Sequence, residues 1–109
     1  MANESPFACD MTAIAPQKRE RHIATIKRLF RSVTYVNELP NGYKFELPNQ
    51  TETLELAAEF ICLERLCCPF FGFTLDVEPE GGKLLLSLTG REGVKPFILE
   101  EIGEHLRKG

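Results

Sequence analysis

The sequence predicts an α+β fold of order α-β-β-α-β-β-α, with a four-stranded, mainly antiparallel sheet and helices packed on one face. Three observations point there. Apolar residues recur at spacings of three and four in three separate segments. Two pairs of short segments alternate apolar and polar residues with a period of two. Each pair is split by turn-forming residues, Leu39-Pro40-Asn41-Gly42 in the first and Glu80-Gly81-Gly82 in the second. Half-apolar helices and strands must bury one face each, and a helix layer on a sheet is the simplest way to do so.

The elements follow in order. Residues 1–15 show no periodicity and read as an N-terminal arm, with Phe7, Ala8, Cys9 and Met11 marking a part that docks. Residues 16–109 read as one α+β domain, since 109 residues match the commonest domain size. A helix begins at Pro16, which suits a first turn because its missing N–H is not needed there. Ile23, Ile26, Leu29, Phe30 and Val33 form its predicted apolar face, and Lys18, Arg19, Arg21, Lys27, Arg28 and Arg31 its solvated side. Val33, Tyr35 and Asn37 then pair as a hairpin with Tyr43, Phe45 and Leu47. A second helix starts at Thr51, expected as its N-cap, and carries Leu54, Leu56, Ala57, Phe60, Ile61 and Leu63. Pro69 disfavours helical geometry at Cys68, so this helix should end near Cys67. Phe71, Phe73, Leu75 and Val77 pair with Leu84, Leu86 and Leu88. A last helix uses Val94, Phe97, Ile98, Ile102 and Leu106, weakened near its end by Gly103. The order reads as two αββ units and a closing helix.

Bulk properties exclude several functions. A net charge of −3 argues against nucleic acid as a partner. No stretch approaches the ~20 apolar residues of a membrane span, and Met1 to Pro6 lack a secretory signal. The expected location is the cytoplasm, where thiols stay reduced. The four cysteines, Cys9, Cys62, Cys67 and Cys68, are therefore expected as free thiols or ligands rather than disulfides.

Chemistry concentrates at Glu64-Arg65-Leu66-Cys67-Cys68-Pro69. Glu64 lies three and four residues before the two cysteines, so a helix puts its carboxylate beside both. The negative end of a helix and a neighbouring carboxylate both raise a thiol pKa, a setting that suits a bound cation better than a free nucleophile. Two thiols and a carboxylate are an incomplete ligand set, and Cys9 is the expected third sulfur. A trio of Cys9, Cys67 and Cys68 with Glu64 favours a thiophilic ion: zinc, mercury, cadmium, copper(I) or arsenite. His22 and His105 sit among charged residues and read as solvated, and Cys62 reads as core edge. No Ser-His-Asp set, paired acids, phosphate loop or DNA-reading helix stands out.

Cys9, the basic helix around Ile23–Phe30, Leu47-Pro48, and the run from Glu64 through Leu75 together resemble a group of small bacterial proteins. Their shared pattern ends in Glu-x-x-Cys-Cys-x-Phe-Phe-x-Phe-x-Leu. The resemblance implies that Cys9, Glu64, Cys67 and Cys68 are the working positions, with Cys62 outside the pattern, and that heavy-metal handling is the expected role. The leading expectation is thus a non-catalytic cytoplasmic module that binds or senses a soft metal or metalloid ion. Alternatives are a thiol redox switch or thiol enzyme using Cys67 and Cys68, and an interaction or homodimerisation domain built on Phe70-Phe71-Gly72-Phe73. The partner in the first two cases is a metal ion or a small thiol-reactive ligand.

Overall fold

A computed structural model describes residues 6–106. The expectations for Met1–Ser5 and for the last three residues lie outside it. The helices are α1 (Pro16–Arg31), α2 (Thr51–Cys67) and α3 (Val94–Ile102), and the strands are β1 (Tyr35–Leu39), β2 (Gly42–Leu47), β3 (Gly72–Val77) and β4 (Leu84–Thr89). The α-β-β-α-β-β-α order is as expected. The sheet runs β1-β2-β4-β3 with every neighbouring pair antiparallel. The second strands of the two hairpins therefore meet at its centre, and α2 carries the chain from β2 to the far edge.

The register Phe45↔Leu86↔Leu75 and Tyr43↔Leu88↔Phe73 aligns the apolar positions of three strands on one face. Phe30 of α1 meets Phe45 edge-on at 5.2 Å, and Phe60 of α2 meets Phe30 at 5.1 Å and Phe73 at 6.0 Å. Val94, Ile98 and Ile102 of α3 join the same core. Such aromatic pairs add roughly 0.5–1.5 kcal/mol each beyond the area they bury.

The face that α1 buries differs from the expected one. His22, Thr25, Leu29 and Phe30 are buried, whereas Ile23 is 45% exposed. The helix turns this way because α2 runs antiparallel beside it and offers acids: Arg21 pairs with Glu59, His22 with Glu64, and Arg28 with Glu52. A polar seam thus replaces an aliphatic one.

Local corrections are small and physical. Thr51 is the first helical residue rather than the cap. The cap is Gln50, which makes no side-chain bond to the helix, while Asn49 donates to the Gly82 carbonyl instead. The first hairpin turns at Pro40-Asn41, and Gly42 already belongs to β2. Its glycine answers to packing, because a Cβ there would lie 1.9 Å from the Leu88 carbonyl oxygen. The second hairpin turns through Glu80 and Gly81, both at positive φ, closed by Gly82 N–H donating to Pro79 O at 3.1 Å. The last helix stops at Ile102 and tightens into a 3-10 turn over Gly103–His105, so Leu106 lies beyond it. Among the described residues no helix is long and apolar enough to cross a membrane.

Gly42→Ala is expected to lower stability by more than about 2 kcal/mol, because β4 backbone blocks the methyl group. Gly103→Ala, with helical φ of −53° and open space around it, is expected to be neutral or stabilising by up to ~1 kcal/mol. Urea unfolding midpoints of the two variants measure both.

Candidate metal and thiol centre

The buried stripe of α2 is Thr53, Ala57, Phe60, Glu64 and Cys67. Its spacings of four, three, four and three residues make Glu64 and Cys67 continuous with the core face. Cys68 follows as the C-cap, its N–H donating to Glu64 O at 2.8 Å, and Pro69 stops further helix. Cys67 and Cys68 thus face inward together, their sulfurs 3.6 Å apart.

The N-terminal arm brings the third sulfur, and it is held on both sides of Cys9. Phe7 lies edge-on to Phe70 at 5.2 Å and stacks on Phe97 at 6.1 Å, with the Arg91 guanidinium 4.2 Å from its ring centre. Gly93, at φ +98°, lets the ring sit down, since a Cβ there would lie 2.9 Å from Phe7 Cε2. Beyond Cys9, the Asp10 N–H donates to Cys67 O at 2.8 Å, and Arg19 Nε–H donates to the Met11 and Ile14 carbonyls.

Cys9 is disulfide-bonded to Cys68, which corrects the expectation that all four cysteines are free. The arm's docking places the two Cα atoms 4.7 Å apart, within bridging range. Compartment arguments from composition carry no information about such local proximity. Cys67 remains a buried free thiol and Cys62 an exposed one. Cys62 is not at the core edge; it faces a surface groove shared with Gln17, Lys18 and Arg21.

Acids and one imidazole complete the centre. Glu64 is 1% exposed and its Oε1 accepts from His22 Nε2 at 2.8 Å. His22 is fully buried, a correction to its expected solvated position, and the α1–α2 seam is the cause. Burial lowers the pKa of His22, so the ring is neutral at neutral pH. The Nε2–H tautomer follows from the bond to Glu64, and Nδ1 is left without a hydrogen-bond partner among the described residues. Glu101 of α3, an acid that sequence reasoning passed over, reaches the same centre. Its Oε2 lies 2.8 Å from Cys9 Sγ, and its two oxygens lie 3.9 and 4.0 Å from Cys68 Sγ.

Burial, the hydrogen bond with Glu64 and the charge of Glu64 push the Glu101 pKa up to about 9. Glu101 therefore holds a proton at neutral pH and donates to Glu64. Burial also raises Glu64, opposed by the hydrogen bonds it accepts from Glu101 and Cys67. Cys67 is pushed up to about 12, first by burial and then by the Glu64 charge. That is the direction expected from a helix C-terminus beside an acid, and it leaves Cys67 a poor nucleophile at neutral pH. The paired acids absent from the sequence reading are Glu64 and Glu101, 37 positions apart in the chain.

Ligand atoms from Cys9, Cys67 and Cys68 lie within 4.8 Å of one another. Two further sets meet the same limit: Cys9, Glu64, Cys68 and Glu101, and His22, Glu64 and Cys67. The four expected site residues thus come together, joined by His22 and Glu101, while Cys62 and His105 belong to none of these sets. The signal for His22 was its register with Thr25 and Leu29, three and seven residues on. For Glu101 it was adjacency to Ile98 and Phe97 on one helix face. Comparison with protein-family models, curated proteins and solved structures finds no match to this chain.

The bridge spans 59 residues of sequence, so opening it is expected to lower stability by about 2–4 kcal/mol. Urea midpoints with and without a dithiol, and for Cys9→Ser, test this. With the bridge intact, Glu101 should also make stability depend on pH. Its folded pKa lies above the ordinary 4.5, so its contribution is full below about that pH and is lost as pH rises towards about 9. Glu101→Gln should flatten this alkaline decline in melting curves; an unchanged decline would place its cause elsewhere.

Proposed function

We propose that this protein binds a thiophilic metal or metalloid ion through Cys9, Cys67 and Cys68 once the Cys9–Cys68 bridge is reduced. The observation that carries the proposal is the convergence of sulfurs from two distant stretches of chain to within 4.8 Å. Sulfurs bound to one ion at about 2.3 Å lie roughly 3.5–4 Å apart, and Cys67 and Cys68 are already 3.6 Å apart. Phe7 on Gly93 and the Asp10–Cys67 backbone bond hold the arm independently of the bridge. Reduction therefore leaves Cys9 beside its partners, which lowers the cost of assembling the ligands. Glu64 serves as a fourth ligand or as the acceptor that orients the sulfurs, and His22 holds its carboxylate in place.

Geometry favours ion binding over disulfide exchange within the trio. A thiolate attacks a disulfide along the S–S axis. In-line attack by Cys67 on Cys68, from 3.6 Å, would leave the outer sulfurs more than about 5 Å apart across a bond of ~2.05 Å. They lie within 4.8 Å, as corners of a triangle. A partner-binding role for the aromatic run has less support, because Phe70 and Phe71 are buried in the protein's own core.

Native mass spectrometry of the reduced protein with zinc, cadmium, mercuric ion and arsenite, on a Cys62→Ser background, tests the proposal. One ion per chain is expected, lost in Cys67→Ser/Cys68→Ser with the circular dichroism spectrum retained. Equal uptake by both proteins would remove the three-sulfur site.

A further inference from the structure

The groups that touch the three sulfurs are both acids. Glu101 Oε2 lies 2.8 Å from Cys9 Sγ, Glu64 Oε1 3.6 Å from Cys67 Sγ, and Glu64 Oε2 3.5 Å from Cys68 Sγ. The centre is also nearly dry: Cys67 and Glu64 are 1% exposed and Cys68 is fully buried. Three thiolates around a divalent ion leave a net charge of −1, and Glu64 as fourth ligand makes it −2. Burying a net anion beside further carboxyl groups is strongly opposed in a medium of low dielectric. Three thiolates around a trivalent centre leave no net charge.

We infer that the reduced trio is built for a trivalent metalloid hydroxide, of the class of arsenous or antimonous acid, in preference to a divalent cation. The inference rests on the trio acting as a ligand set. It names the class of ion that this set takes.

The chemistry balances without change of oxidation state. Each thiol S–H condenses with one metalloid–OH group: a sulfur–metalloid bond forms, a metalloid–oxygen bond breaks, and the thiol proton leaves with the hydroxide as water. Three condensations release three waters, and the metalloid stays trivalent throughout. Glu64, the acceptor of the acid pair, is placed to take a proton from sulfur, and protonated Glu101 to give one to the departing hydroxide, with the hydrogen bond between the two acids restoring the proton to Glu101. The bridge must first be opened by a cellular dithiol, which becomes a disulfide as Cys9 and Cys68 each gain an electron and a proton.

Shape separates this class from a linear dithiolate ion, while net charge is what separates it from tetrahedral zinc or cadmium. A pyramidal centre with bonds of about 2.3 Å at angles of about 100° sets its sulfurs about 3.5 Å apart, whereas a linear dithiolate of the mercuric type needs about 4.6 Å. The 3.6 Å between Cys67 and Cys68 matches the pyramid. A trivalent centre of this kind keeps a lone pair in its fourth direction, so three protein sulfurs satisfy it. Its hydroxide is uncharged at neutral pH and approaches past the half-buried Cys9 and Glu101 without shedding the tightly held water of a dication.

The test uses the full chain with Cys62→Ser, reduced, near neutral pH, with sodium arsenite as the probe and zinc and cadmium as competitors. Native mass spectrometry should show one arsenic gained and three hydrogens lost, and all three thiols should resist maleimide even with zinc or cadmium in excess. Cys9→Ser should weaken arsenite binding at least ~100-fold by removing one arm of the chelate. The same variant should still bind phenylarsine oxide, which takes two sulfurs, so retained binding shows that the remaining pair is intact. Loss of only two hydrogens would overturn the three-sulfur assignment. Protection by cadmium or zinc but not by arsenite would overturn the preference while leaving ion binding standing. Protection by none of them would overturn both.

Discussion

A carboxylate that barely touches water sets the terms for this molecule. Glu64 sits on the core stripe of α2, where an acid without partners would cost several kcal/mol. Three elements answer that cost. His22 reaches it from α1, Glu101 shares a proton with it from α3, and Cys67 donates from the next turn of α2. The rotation of α1 that exposes Ile23 and buries His22 follows from the same demand. So does the polar seam between α1 and α2, in which Thr25 donates to Glu59 alongside Arg21. Acid, imidazole and thiols are therefore one electrostatic unit, in which the state of any member depends on the others.

The arm adds the element that makes this unit a candidate ligand site. Without it, Cys67 and Cys68 would be a vicinal pair under a cap of phenylalanines. With it, Cys9 arrives from 59 residues away and the centre gains a third sulfur. The bridge and the proposed binding of an ion by all three sulfurs would be mutually exclusive uses of the same atoms, since a disulfide sulfur has no proton to give up to a cation. Under that proposal, oxidation state would decide which chemistry the centre offers.

Much of the fold was legible in the sequence because its signals are local. Alternation in Phe73, Leu75, Leu84, Leu86 and Leu88 and the proline after Cys68 act within a few residues, and the strands and the end of α2 follow them. The convergence of Cys9, Glu64, Cys67 and Cys68 was also legible, since helix spacing places three of them and the arm's length permits the fourth. What escaped was decided between elements. His22 and Glu101 look like surface residues until the antiparallel packing of α1 on α2 and the docking of α3 are known. The Cys9–Cys68 bridge escaped for the same reason, because bonding needs a separation that only the folded arm provides. Gly42 was legible as glycine but not for its purpose, which is to let β4 backbone pass close by.

The seat of Phe7 on Gly93 extends the centre well beyond its donors. Any side chain at position 93 would meet both an unfavourable backbone angle and the ring itself, lifting the arm two residues from Cys9. A chain could keep every sulfur and both acids and still lose the arrangement through that one hydrogen-for-carbon exchange. Kinship in function with this protein is therefore better judged by the glycine and the aromatic ring it receives, taken with the cysteines, than by counting thiols.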